Sequence, residues 1–216
     1  EDLSRGLGDV YKRQRSLSEI ETTSKRASRA LGYSWGISEE VGKSVRLLEM
    51  FNFEGIKNLN EYLNEKKDKK FENLNLINQN NECAEFSYCP IILGVSFLDQ
   101  IEKIEKIKTI NFSKIAYPLL FLPFLSRSSE VIGKKIFFKF EKNEFLLNIN
   151  VNISTNLLNK NCPNIANNVE VKILENNDNF TEQDWKSLYQ LSEKTFVEET
   201  ESLKKGAAGA GLTDND

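Results

Sequence analysis

Apolar and polar positions follow two rhythms along this chain. From Ser16 to Gly32, Ile20, Ala27 and Leu31 recur at helical spacing, with Ser24 between them. Ser16 and Glu19 stand in the S-x-x-E arrangement of a capping box, and Gly32 is a good C-terminal breaker. The stretch GYSWG (32–36) then forms an aromatic connector. A second helix is predicted over ISEEVGKSVRLLEMF, with Ile37, Val41, Val45 and Leu48 on one face. Glu39, Lys43 and Arg46 lie on the opposite, solvated face, where Glu39 and Lys43 are spaced for an ion pair. A short third helix follows at NLNEYLNEK (58–66), and a helix over about 96–108 is predicted from Phe97, Ile101 and Ile104.

The second rhythm has period two. Ile136, Phe138 and Phe140 alternate with polar residues or with Phe137, EKNE (141–144) supplies a hairpin turn, and Phe145, Leu147, Ile149, Val151 and Ile153 continue the alternation. NVEVKIL (168–174) is a third strand, reached through a loop at NLLNKNCPNIANN (156–168). The run IAYPLLFLPFL (115–125) is too short for a bilayer span and reads as core. Its two prolines leave strand and broken helix both open. A last helix starts at Thr181 as N-cap with Asp184 at its third position. Phe180 and Trp185 occupy the staple positions, and Trp185, Leu188, Tyr189, Ser192 and Phe196 form its inner face. Together these elements predict an α+β single domain, with helices at both ends packed on a small antiparallel sheet from about 135–153 and 168–174.

Two segments stand apart from this pattern. Residues Ser4–Gln14 (SRGLGDVYKRQ) can be back-translated, codon for codon, into the adapter of transposon-based sequencing libraries. Residues 1–14 are therefore read as an artefactual extension. Residues 64–82 are rich in Lys and Asn, with acids interleaved among the bases, and read as a solvated insertion with a short strand at LNLI (74–77). The domain is thus expected over 15–205, followed by a Gly/Ala-rich acidic tail over 206–216.

Composition narrows the chemistry. An apolar content of 39% suits a chain that buries an ordinary core. The net charge of −3 argues against bulk nucleic-acid binding. With no histidine, Ser-His-Asp and Cys-His arrangements are excluded, and acid–base work falls to Asp, Glu, Lys, Tyr or Cys. Cys83, Cys89 and Cys162 make an odd set with no C-x-x-C, which fits a reducing cytoplasm.

Three stretches carry a resemblance: SLSEIETTSKRASRALGYSWGISEEVGKSVR (16–46), CPIILG (89–94) and FVEETESLKKGAAGAGLTDND (196–216). Together they resemble a bacterial family known as domain of unknown function 3726. The two ends match well and the middle poorly, and the insertion at 64–82 departs from it. The resemblance implies a native start just before Arg15 and a true end at Asp216. It implies no activity.

The leading expectation is a cytoplasmic protein of small-molecule metabolism, enzyme or ligand binder, with neither nucleic acid nor membrane as partner. Its site would bring GYSWG and the second helix against the tail. Trp35 would be an aromatic wall, although a glycine-flanked tryptophan is more often core. Lys43 or Arg46 would supply positive charge, and Glu40, bordering the apolar stripe, would be a partly buried carboxylate with a raised pKa. Gly209 and Gly211 let the tail lie close to another backbone. Asp214 and Asp216 offer carboxylates suited to a hard cation such as Mg²⁺. Cys89, before Pro90, reads first as a small buried hydrophobe, with nucleophilic use as the rarer option. The rival expectation is a non-catalytic accessory protein whose tail docks on a partner chain.

Overall fold

The computed structural model describes residues 15–157 and 162–196. The chain divides into a large unit ending at Asn176 and a smaller one beginning at Asn177. Three helices open the large unit: α1 (Leu17–Ala30), α2 (Trp35–Met50) and α3 (Gly55–Asp68). The capping box forms as expected: Glu19 N–H donates to Ser16 Oγ at 3.2 Å, and Ser16 N–H donates to the Glu19 carboxylate at 2.9 Å. Small residues let α1 and α2 approach closely. Ser24, Ser28 and Ser38 are buried, and a Cβ at Gly42 would sit 2.7 Å from the Glu21 carbonyl oxygen. Close approach changes the polar face of α2. The expected Glu39–Lys43 bridge does not close. Glu39 pairs instead with Lys25, and Arg46 with Glu21 at 3.0 Å, both on α1, while Lys43 pairs with Glu40 at 2.9 Å. A face read as solvated is partly an interhelix seam.

The segment after α3 is ordered by one carboxylate. Glu72 accepts backbone N–H groups from Ala84 (3.0 Å), Glu85 (2.6 Å) and Phe86 (2.7 Å), and these bonds hold its carboxyl below the usual range. Its carbonyl accepts from Cys89 N–H at 2.8 Å. The expected strand at LNLI does not form. The pairing strand here is β1 (Asn80–Asn81), parallel to β2 (Thr109–Ala116). The next helix also begins earlier than its apolar spacing predicts. It is α4 (Pro90–Asp99), N-capped by Cys89, followed by α5 (Ile101–Ile104) and a 3₁₀ turn over 105–107. Proline at the first helical position loses no hydrogen bond, so Cys-Pro marks the start.

The ambiguous run 115–125 is both a strand and a helix. β2 ends at Ala116, Tyr117 adopts a left-handed conformation (φ 44°), and α6 (Pro118–Ile132) begins directly. Pro123 lies inside α6 and is buried, where the loss of one backbone bond is tolerated. α4 and α6 touch so closely that a Cβ on Gly94 would lie 2.3 Å from the Phe124 ring.

Four more strands complete the sheet: β3 (Lys135–Phe140), β4 (Asn143–Leu147), β5 (Ile153–Thr155) and β6 (Ile165–Leu174). The order is β1-β2-β6-β3-β4-β5, antiparallel except for β1 with β2. The EKNE turn forms as expected, with Glu141 at φ 52°. The single long strand expected through Ile153 breaks after Leu147. The Asn148 side chain accepts N–H groups from Asn150 (3.0 Å) and Asn152 (3.1 Å), and β5 folds back along β4. β6 starts inside the segment read as loop. Ile136, Phe138, Phe140, Phe145, Val171 and Ile173 form the buried face, where the Phe121 ring of α6 meets Phe138 at 5.8 Å. The opposite face carries the ion pairs Lys139–Glu144 and Lys172–Glu170, both at 2.8 Å. The fold is α+β, with a larger, mixed sheet than the alternation alone predicts.

The smaller unit contributes α7 (Glu182–Glu193). Its capping box forms between Thr181 and Asp184, and Phe180 stacks on Trp185 with ring centroids 5.7 Å apart. The expected inner face is not buried: Trp185, Leu188, Tyr189 and Phe196 are exposed. Among the described residues, no helix is long and apolar enough to cross a membrane.

Candidate functional site

Three segments far apart in sequence meet at one buried cluster. Tyr33 comes from the turn after α1, Tyr62 from α3 and Cys89 from the N-cap of α4. The hydroxyls of Tyr33 and Tyr62 lie 2.8 Å apart. Cys89 Sγ is 2.9 Å from the Tyr62 hydroxyl and 3.5 Å from that of Tyr33. Ile92 N–H donates to the same sulfur at 3.4 Å. Burial, and then the neighbouring thiol, push both phenols well above their ordinary pKa. Both therefore remain hydrogen-bond donors throughout the neutral range.

This cluster lines a cavity of about 570 Å³. Its walls include Ser34 and Ile37 from the start of α2, Cys89 and Ile92 from the start of α4, and Lys66, Lys69 and Lys70 from the end of α3. Among the described residues, no carboxylate lines it. The start of a helix carries unsatisfied N–H groups and a partial positive charge, and here two such ends face the same space. Lys69 pairs with Glu65 at 3.2 Å. Among the described residues Lys66 and Lys70 form no ion pair, and the Lys66 ammonium lies 5.1 Å from the centre of the Tyr33 ring. The arrangement is suited to hold an anion against hydroxyl and thiol groups.

The residues singled out from sequence fall elsewhere. Trp35 is 58% exposed rather than core, with Arg29 and Lys25 over its ring at 5.3 and 5.6 Å. The core aromatic of GYSWG is Tyr33. Glu40 is partly buried, but not as a lone carboxylate: it bonds Arg127 of α6 and Lys43. Arg127 also reaches Ser44 Oγ at 3.4 Å and stacks on Phe124 at 5.0 Å, and burial lowers its pKa. Lys43, Arg46 and Arg127 border a smaller cavity of about 230 Å³ together with Glu130. Gly209, Gly211, Asp214 and Asp216 lie outside the described residues. Among the described residues, no group of three or more Cys, Asp or Glu is placed to hold a metal ion.

Sequence reasoning passed over Tyr33 and Tyr62, and read Lys66, Lys69 and Lys70 as part of a solvated insertion. The available signal was Cys-Pro as a helix start, which places a thiol at a positive helix end. Nothing local indicated which side chains would face it.

No curated protein and no solved structure matches the chain. The family described as protein of unknown function (DUF3726) matches residues 15–87, about a third of the chain and the stretch that supplies Tyr33, Tyr62 and all three cavity lysines.

Proposed function

We propose that this protein binds an anionic small molecule in the cavity between the GYS turn, the end of α3 and the start of α4. The observation that carries the reading is the concentration of positive charge, with Lys66 and Lys70 in no ion pair among the described residues. Three lysines and two helix N-termini face a space that, among the described residues, no carboxylate lines. The reading refines the expectation of a cytoplasmic protein of bacterial small-molecule metabolism, as ligand binder or enzyme. It keeps the GYSWG segment and the start of α2 in the site and sets the end of α3 and the start of α4 where the C-terminal tail was expected.

The test is a thermal-shift titration with inorganic phosphate, citrate and a panel of phosphorylated and carboxylated metabolites. A ligand that binds only the folded state raises Tm, by an amount that grows with concentration. At least one anion should raise Tm in the native chain, and Lys66→Gln/Lys70→Gln should abolish the rise. If no anion acts, or the double variant responds equally, the reading is wrong.

A second reading, a non-catalytic interaction protein, is favoured by an apolar groove of about 390 Å³ between α1 and α3. Ile20, Ile56, Leu59 and Leu63 line it, and Ile56 is 46% exposed. Ile56→Glu would abolish partner binding under this reading and leave anion binding unchanged.

A further inference from the structure

Among the described residues, the carboxylate of Glu72 is met by backbone donors and by no cation. Its Oε1 accepts the N–H groups of Glu85 at 2.6 Å and Phe86 at 2.7 Å, and its Oε2 accepts that of Ala84 at 3.0 Å. Successive N–H groups that converge on one anion form a nest, which binds negative charge through backbone dipoles. We infer that the backbone of residues 84–86 is a carboxylate-binding site that the chain fills with its own Glu72, and that this contact latches the wall of the lysine-lined cavity.

The receptor is fixed independently of its occupant. On one side of it, Cys83 N–H donates to Ser113 Oγ at 2.9 Å. On the other, Tyr88 N–H donates to the Lys114 carbonyl at 3.0 Å, and the Tyr88 carbonyl accepts from Ala116 N–H at 3.1 Å. Ser113, Lys114 and Ala116 all belong to β2, so both ends of the 84–86 turn are tied to the sheet. The occupant arrives from the segment after α3, where Glu72 lies between Phe71 and Asn73, two residues of the cavity wall. Its main chain adds two bonds: Glu72 N–H donates to the Ser87 carbonyl at 3.0 Å, and Cys89 N–H donates to the Glu72 carbonyl at 2.8 Å. These neutral bonds set the register of the segment, and the stronger charge-assisted bonds of the carboxylate close it. A free carboxylate has the chemistry of the side chain, so a vacated receptor takes one up. The latch stands on these bonds alone, and its consequence for ligand entry rests on the anion-binding reading of the cavity.

The experiment is chemical rescue in the full-length chain. Glu72→Ala removes the atoms of one acetate ion and leaves both main-chain bonds in place. Exchange of the Ala84, Glu85 and Phe86 amide protons, followed by NMR, should be about tenfold faster in this variant. Sodium acetate should slow it again, and sodium chloride at equal ionic strength should not. In the native chain, whose receptor is filled, the two salts should act alike. If Glu72→Ala does not fold, Glu72→Gln takes its place: the amide keeps one acceptor oxygen, so protection should fall at some of the three amides. Native protection at all three amides in either variant overturns the inference, as does acetate that acts no better than chloride on Glu72→Ala. Phosphate titrated against the native chain keeps the two readings apart. A phosphate-induced rise in Tm with failed rescue removes the latch and leaves the anion site. Rescue without such a rise removes the anion site and leaves the latch. With both in place, phosphate should bind Glu72→Ala about fivefold more weakly, because less of the chain holds the cavity wall closed. Equal affinity would remove the link between latch and cavity.

Discussion

Two charged regions flank helix α2, and they are built on opposite terms. On one side Glu40 and Ser44 face Arg127 of α6, with Lys43 closing on Glu40. Each cation there has an anionic or stacking partner from the protein itself. On the other side, at the N-terminal end of the same helix, Lys66, Lys69 and Lys70 face a cavity that, among the described residues, no carboxylate lines. Partly buried charge is costly unless paired. The α2–α6 seam meets that requirement internally and serves to hold two helices in register. At the cavity, Lys66 and Lys70 have no ion pair among the described residues, and the proposed anion site rests on that difference. A charged patch is informative only after its partners are counted.

The comparison can be broken most sharply at the seam. Arg127→Ala should destabilise the fold by about 3 kcal/mol, because it leaves Glu40 partly buried beside Lys43 alone. Since about a fifth to a quarter of each side chain stays exposed, the loss should lie at the low end for buried pairs. Urea denaturation reads it, and a loss near zero would show that the seam is ornamental. Glu40→Leu/Arg127→Met should recover most of the stability, since an apolar pair leaves no orphaned charge.

Next is the helix contact that positions Cys89. Gly94→Ala places a methyl group against the Phe124 ring, where the gap to a Cβ would be 2.3 Å. Overpacking there should cost about 2 kcal/mol by the same denaturation assay and should shift the start of α4, weakening anion binding in parallel. Stability loss with full anion affinity would separate the helix contact from the site.

A smaller effect is expected at Glu72, the anchor of the loop behind the cavity. Its carboxyl is held low by backbone N–H donors. A lowered folded pKa means stability that is present above the unfolded pKa, about 4.3, and lost as pH falls through the folded value. Melting temperature measured between pH 2 and 7 should therefore drop on the acid side, and Glu72→Gln should remove that part of the slope. An identical acid limb in the variant would contradict the role given to this carboxylate.

The smallest stability effect is expected in the cavity. Lys66→Gln/Lys70→Gln should change unfolding free energy by no more than about 1 kcal/mol, as among the described residues neither lysine has an ion pair to lose and Lys66 loses only its contact with the Tyr33 ring. If the double variant loses as much as Arg127→Ala, these lysines are structural and the contrast between the two regions fails.

Much of the fold was legible from short-range rules. Capping at Ser16 and Thr181, the stop at Gly32 and the EKNE turn depend on residues within a few positions, and all four form. The failures share a physical cause. Pro118 and Pro123 argue against one continuous helix, yet α6 starts at Pro118 and runs through Pro123, in a stretch buried from 118 to 126. The alternation from Phe145 to Ile153 reads as one strand, yet the Asn148 side chain captures two backbone N–H groups and turns the chain. The periodicity of Phe97, Ile101 and Ile104 placed a helix too late, because α4 is buried broadly at its start and carries no polar face there to reveal a period.

The site was less legible still. The two ends of GYSWG exchange roles: the tyrosine is core and the tryptophan is surface, a choice made by α3 and α4 packing on Tyr33. Lys66, Lys69 and Lys70 alternate with acids along the chain, and only the turn of α3 and the loop after it leave the acids off the cavity wall. By itself the sequence determined the α+β class, the local helix signals and the absence of histidine chemistry, since these follow from composition and from neighbours a few residues apart. The tertiary structure alone decided where charge is matched and where it is not, because partners such as Glu40 with Arg127, or Tyr33 with Tyr62 and Cys89, are brought together across tens of residues by packing that no local pattern encodes.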